Sequence, residues 1–95
     1  MRDAWLDALK LYIEKAGNNS PVYRPKGDYR LRVVTRHQQY LIERNRWQVG
    51  GVNPDPYPLY FEFTAMTEFL FLGTAGGNGT YIPWSQIERI DVERP

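Results

Sequence analysis

The hydrophobic period of this chain changes once, near residue 29, and that change limits the fold more than any single residue does. Before it, Trp5, Leu9, Tyr12, Ile13 and Ala16 recur at helical spacing, one apolar stripe that Leu6 widens. Asp3 stands where it can cap a helix or meet its positive end, and Gly17 offers a left-handed stop, so the spacing predicts a helix over residues 2–16. After residue 28 the period is two: Tyr29, Leu31 and Val33 point one way, and Arg30, Arg32 and Val34 the other. A wide aromatic helix stripe must pack on something, and the remainder of the chain offers it strands. The chain reads as α+β, an N-terminal amphipathic helix packed on a strongly bent antiparallel sheet or a small five- to six-stranded barrel.

The punctuation of the chain supports that order. Residues 17–28 hold Gly17, Asn18, Asn19, Ser20, Pro21 and Pro25, the chemistry of a connecting loop. Residues 39–49 are expected to pair with the first strand across a turn at His37-Gln38. Asn53-Pro54-Asp55-Pro56-Tyr57-Pro58 reads as a stiff connector, because alternate prolines fix φ and withhold donors. Leu59, Phe61 and Phe63 alternate with Tyr60 and Glu62. Phe69-Leu70-Phe71-Leu72 is apolar on both faces, as a central strand covered on both sides would be. Its rival is a helix over residues 65–72 with Thr64 as cap; the two phenylalanines and the glycines after them favour the strand. Ser85-Gln86-Ile87-Glu88 has the form of a capping box, so a helical turn is expected after Pro83-Trp84, with Ile90-Asp91-Val92-Glu93 as a last strand. One domain over residues 1–95 results: a helix, then five or six short strands.

The stretch Phe71-Leu72-Gly73-Thr74-Ala75-Gly76-Gly77-Asn78-Gly79-Thr80-Tyr81-Ile82 invites comparison with a phosphate-binding loop. Such a loop needs Gly-Lys-Ser/Thr, and no lysine occurs after Lys26; a dinucleotide loop opens into a helix, whereas this one leads to strand formers and Pro83. Asn78-Gly79 between apolar runs is instead a hairpin signal. No nucleotide or other cofactor is expected.

The order of helix, antiparallel meander, glycine-containing hairpin, single helical turn and short last strand resembles the small five-stranded barrels of the Sm-like and SH3-like kind. The local likeness is Tyr81-Ile82-Pro83-Trp84-Ser85-Gln86-Ile87, a strand breaking at proline into one turn. The resemblance covers the architecture from Tyr29 onward and implies a fold alone: the Sm-type Asp/Asn pair after the second strand and the acidic ligand loop of an SH3 domain are missing.

Composition removes several kinds of chemistry. With no cysteine, the chain has no thiolate nucleophile, disulfide or zinc–thiolate site, and with His37 as its one histidine a metal would rest on carboxylates. His37 sits between Arg36 and Gln38 at the expected hairpin tip, with no Ser or Asp placed by sequence to relay a proton. No stretch approaches the ~20 apolar residues that span a bilayer, and no leader is visible. A cytoplasmic protein without membrane contact is expected. At 95 residues the fold buries about 60–65% of the surface of the unfolded chain, a marginal core.

Charge is divided unevenly. Arg24, Lys26, Arg30, Arg32, Arg36, Arg44 and Arg46 face only Asp28 and Glu43 in residues 24–46; from residue 50 onward Arg89 and Arg94 face Asp55, Glu62, Glu68, Glu88, Asp91 and Glu93. Two constellations stand out. Arg30, Arg32, Arg36, Arg44 and Arg46 with Tyr40 and Trp47 make a candidate phosphate and base contact, as in single-strand binders; equally, alternate arginines are what a solvated strand face looks like, with the later carboxylates as cross-strand partners. Tyr57, Tyr60 and Trp84 make a candidate aromatic cleft for a small ligand or for catalysis. Three tryptophans, seven tyrosines and four phenylalanines exceed the needs of so small a core, and surplus aromatics belong at interfaces. The function expected first is therefore a non-enzymatic interaction or assembly module that associates with itself, a dimer as first guess. Single-stranded nucleic-acid binding comes second and the aromatic cleft third.

Overall fold

The computed structural model describes residues 2–44, 56–73 and 79–94. Among them are one α-helix, α1 (Arg2–Leu9), and nine strands: β1 (Ile13–Lys15), β2 (Val22–Pro25), β3 (Arg30–Thr35), β4 (Gln39–Glu43), β5 (Leu59–Tyr60), β6 (Glu62–Ala65), β7 (Phe69–Gly73), β8 (Gly79–Pro83) and β9 (Ile87–Glu93). They form two sheets, ordered β1-β2-β6-β7-β8 and β5-β4-β3-β9, not a closed barrel. All neighbours are antiparallel except β4 and β5, which run parallel. The barrel alternative thus gives way to two sheets, because the chain changes sheet instead of closing one. It does so three times: between β2 and β3, at Phe61 between β5 and β6, which splits the predicted single strand between the sheets, and at the 3-10 turn Trp84–Gln86 between β8 and β9.

The helix is the largest correction. It ends at Leu9, not at Ala16, and Gly17 is not its stop. Ile13, the residue that best completes the helical stripe, is buried in the core from a strand: β1 pairs with β2, Ile13 opposite Pro25, Glu14 opposite Arg24 and Lys15 opposite Tyr23. Burying Ile13 either way satisfies the hydrophobic pattern, and the ladder adds hydrogen bonds that eight helical residues alone could not outweigh. Trp5 and Leu6 pack against the core and Leu9 is part of it, while Leu11 is left exposed. The loop read over residues 17–28 likewise contains β2. Val22 and Tyr23 pair with Thr64 and Phe63, and Pro25 lies beyond that pairing, where its missing donor costs nothing to β6. The turns on either side use left-handed backbone at Asn19 (φ 60°) and Gly27 (φ 52°).

The hairpin of β3 and β4 pairs Leu31 with Ile42 and Val33 with Tyr40, and turns through Thr35 and Gln38, whose backbones bond at 2.9 Å. Residues 65–72 hold no helix; β7 occupies Phe69–Gly73, but it is not covered on both sides. Leu70 and Leu72 are buried while Phe69 is exposed. The helical turn after Pro83 forms without a capping box: Pro83 is its N-cap with no side-chain bond, and Ser85 lies inside the turn. The core gathers Leu31, Val33 and Ile42 from one sheet and Phe63, Ala65, Leu70, Leu72 and Ile82 from the other, with Leu9, Ile13, Tyr60, Trp84 and Ile87.

Candidate interaction surface

Alternation along β7 and β8 sends Leu70, Leu72 and Ile82 inward, and the same alternation sends Phe69, Phe71 and Tyr81 to the outer face of the five-stranded sheet. Phe71 and Tyr81 are directly opposite in the register, with ring centroids 4.6 Å apart; Phe69 meets Tyr81 edge-on at 6.1 Å. The cluster is not internal filling: Phe69 is 37% and Tyr81 60% exposed, and Met66, in the turn before β7, is exposed beside them in sequence. Gly79 makes the arrangement fit. A Cβ on it would overlap the Phe71 ring and stand 2.6 Å from the Leu72 carbonyl oxygen, so the ring lies across a position only glycine can fill.

β8 is also an edge. Trp84 N–H donates to the Glu68 carbonyl at 3.2 Å, in the register that pairs β8 with β7, and Met66 N–H donates to the Phe69 carbonyl at 3.0 Å in that of β6 with β7. Antiparallel ladders alternate bonded and non-bonded pairs. Both bonds therefore place Thr80 and Ile82 as the β8 residues bonded to β7, and leave the backbone groups of Gly79, Tyr81 and Pro83 pointing away from the sheet. The other edges carry the usual protection: β1 has three residues, two of them Glu14 and Lys15, β5 has two residues, and β9 carries Glu88, Arg89, Asp91 and Glu93. β8, GTYIP, has no charge, and only Pro83 at its end blunts it.

The basic hairpin is organised differently from a phosphate track. Glu93 on β9 accepts from Arg30 Nη2 at 2.9 Å and from Arg32 Nε at 2.9 Å, and Arg32 Nη1 also donates to Gln39 at 3.0 Å. Arg32 lies over the Tyr57 ring, 5.6 Å from its centroid. Arg44 is paired with Glu14, and Arg24 with Glu62 at 3.1 Å. The basic first half and the acidic second half thus meet within one chain. Tyr40 packs against the core, and burial, then the neighbouring Tyr60 phenol, raises its pKa above the ordinary tyrosine value. Arg36 is exposed at the turn; Arg46 and Trp47 lie outside the described residues, as do the first residues of the proline connector and Thr74 to Asn78 of the glycine-rich turn.

Two of the three aromatics of the expected cleft are taken into the core. Trp84 is buried in the core, its Nε1–H donating to the Met66 carbonyl at 2.7 Å; Tyr60 is buried, its hydroxyl 2.7 Å from that of Thr80. Tyr57 instead lines a shallow cleft with Arg36, His37 and Gln38. A neighbouring polar cleft, which the sequence did not suggest, joins Arg36 and His37 to Ser85, Gln86 and Glu88, because the β3–β9 pairing of Thr35 with Ile87 sets the hairpin turn beside the 3-10 turn. Among the described residues no hydrogen bond links His37 to Ser85 or Glu88, and no group of three or more His, Asp or Glu is placed to hold a metal ion. No helix among them is long and apolar enough to cross a membrane.

Hydrogen bonding from Arg32 lowers the Glu93 pKa from its ordinary 4.5; partial burial opposes this, and Arg30 adds to it. A carboxylate with a lowered folded pKa contributes stability that is complete above its unfolded pKa and lost as pH falls through the folded one. Glu93→Gln is expected to cost about 1.5–3 kcal/mol at neutral pH, the range for hydrogen bonds to charged groups, and to remove part of the fall in stability below pH 4.5. Urea unfolding of both proteins across that range checks this.

Compared with protein-family models, with curated proteins and with solved structures, the chain matches none.

Proposed function

We propose that this protein is a small, non-enzymatic interaction module that associates with itself through the outer face of β7 and β8. One observation carries the proposal: half-buried Phe71 with exposed Phe69 and Tyr81 forms an aromatic cluster reaching onto β8, the one edge strand among the described residues that neither charge nor shortness protects. Tyrosine is among the residues that supply most binding energy at interfaces, and a marginal domain gains stability from association by mass action. Single-stranded nucleic acid has less support, since Glu93 engages the Arg30 and Arg32 guanidiniums and Glu14 that of Arg44.

Tyr81→Lys places a charge at the centre of the patch without touching the core. Light scattering at a fixed micromolar concentration is expected to show wild type heavier than 11.2 kDa and the variant at the monomer mass, with equal melting temperatures once both are dilute enough to be monomeric. Loss of a Tyr anchor worth about 2 kcal/mol weakens association roughly 30-fold. A variant that associates as well as wild type contradicts the proposal.

A further inference from the structure

We infer that the partner is a second copy whose β8 pairs antiparallel with β8 of the first, Tyr81 opposite the partner's Tyr81, joining the two five-stranded sheets into one. The inference rests on the self-association proposed above and specifies its geometry.

The outward backbone groups of β8 belong to Gly79, Tyr81 and Pro83, as the Trp84–Glu68 and Met66–Phe69 hydrogen bonds require. Set against an inverted copy about Tyr81, this pattern is self-complementary. Each Tyr81 N–H donates to the partner's Tyr81 carbonyl, and each Gly79 N–H donates to the partner's Pro83 carbonyl. The donor that Pro83 lacks falls at the outer end of the pairing, where its absence limits the ladder instead of interrupting it. A slip that set Tyr81 opposite the partner's Gly79 would bring its ring toward space the Phe71 ring already fills. A slip the other way would oppose Tyr81 to the partner's Pro83 and lose a donor at both central pairs.

Side chains agree with this register. Residues directly opposite share a face, so the two Tyr81 rings lie side by side, each backed by its own Phe71 and Phe69. The result is one aromatic row across both copies. With no charge on β8, two identical strands meet without like-charge repulsion.

The chain lacks cysteine, so single cysteines report contacts without further changes. Under mild oxidation Tyr81→Cys is expected to form a disulfide-linked dimer, since opposed residues bring Cα atoms within about 4.4–6.8 Å. Phe69→Cys, one strand further in, and Leu11→Cys, exposed outside the sheets, are expected to stay monomeric on a denaturing gel. Because Tyr81 itself contributes affinity, a second readout keeps the ring: photo-oxidation of wild type should yield dityrosine, mapped by mass spectrometry to Tyr81 joined to Tyr81. Wild type that associates but links through Phe69→Cys, or through dityrosine not involving two Tyr81 residues, overturns the edge pairing and leaves self-association standing. Wild type that stays monomeric and forms neither link removes both.

Discussion

Trp84→Ala is expected to cause the largest loss of stability of any single truncation in the core. Trp84 is buried at the point where the chain leaves one sheet for the other, and its indole N–H holds the Met66 carbonyl at 2.7 Å. Truncating a buried tryptophan costs about 3–5 kcal/mol, a large share of the roughly 5–15 kcal/mol of a typical domain. Trp84→Phe separates the two contributions. It keeps most of the apolar volume but leaves the Met66 carbonyl without its donor, which costs about 1–3 kcal/mol. Urea unfolding with constant slope measures both. If Trp84 lined an open ligand cleft instead, Trp84→Ala would leave stability nearly unchanged.

Gly79→Ala is expected to weaken folding and association together, and Gly17→Ala is its control. A methyl group at Gly79 overlaps the Phe71 ring and presses on the Leu72 carbonyl oxygen, part of the backbone that pairs β7 with β8. The ring can swing away; the carbonyl can move only with the strand. Overpacking of this kind costs about 1–3 kcal/mol, and displacing Phe71 also disrupts the aromatic face, so association weakens together with stability. At Gly17 nothing lies within 4 Å of an added methyl, and the change is expected to stay within about 0.5 kcal/mol. Calorimetric melting of the two variants side by side checks the contrast.

What could be read from the sequence was local. Alternation located β3 and the end of β9, the turn at His37-Gln38 placed β4, an apolar run before the glycines marked β7, and Pro83 followed by Trp84 marked a turn. What could not be read depended on distant pairing. Ile13 belongs to a strand because Pro25 stands opposite it, and an apolar residue buried from a helix or from a strand leaves the same mark on hydrophobic periodicity. Phe61 ends one sheet and begins another through its hydrogen bond to Gly73, an interaction no short window contains.

The candidate sites divide along the same line. Arg30 and Arg32 resemble a phosphate track until β9 brings Glu93 between them. Tyr57, Tyr60 and Trp84 resemble a cleft until the fold takes Tyr60 and Trp84 into the core. The exposed face was present in the sequence only as a surplus of aromatics. Choosing Phe69, Phe71 and Tyr81 from among them required the facing of β7 and the position of β8 at the edge. An alternating apolar strand could have suggested it, had Phe69 and Phe71 been read as an outer face instead of a covered one.

Sedimentation equilibrium of the unaltered chain over a wide micromolar range tests the central claim most directly. Association through the β7–β8 face predicts an average mass that rises with concentration from 11.2 kDa toward twice that value, and that returns to the monomer on dilution. A single 11.2 kDa species at every concentration would contradict it.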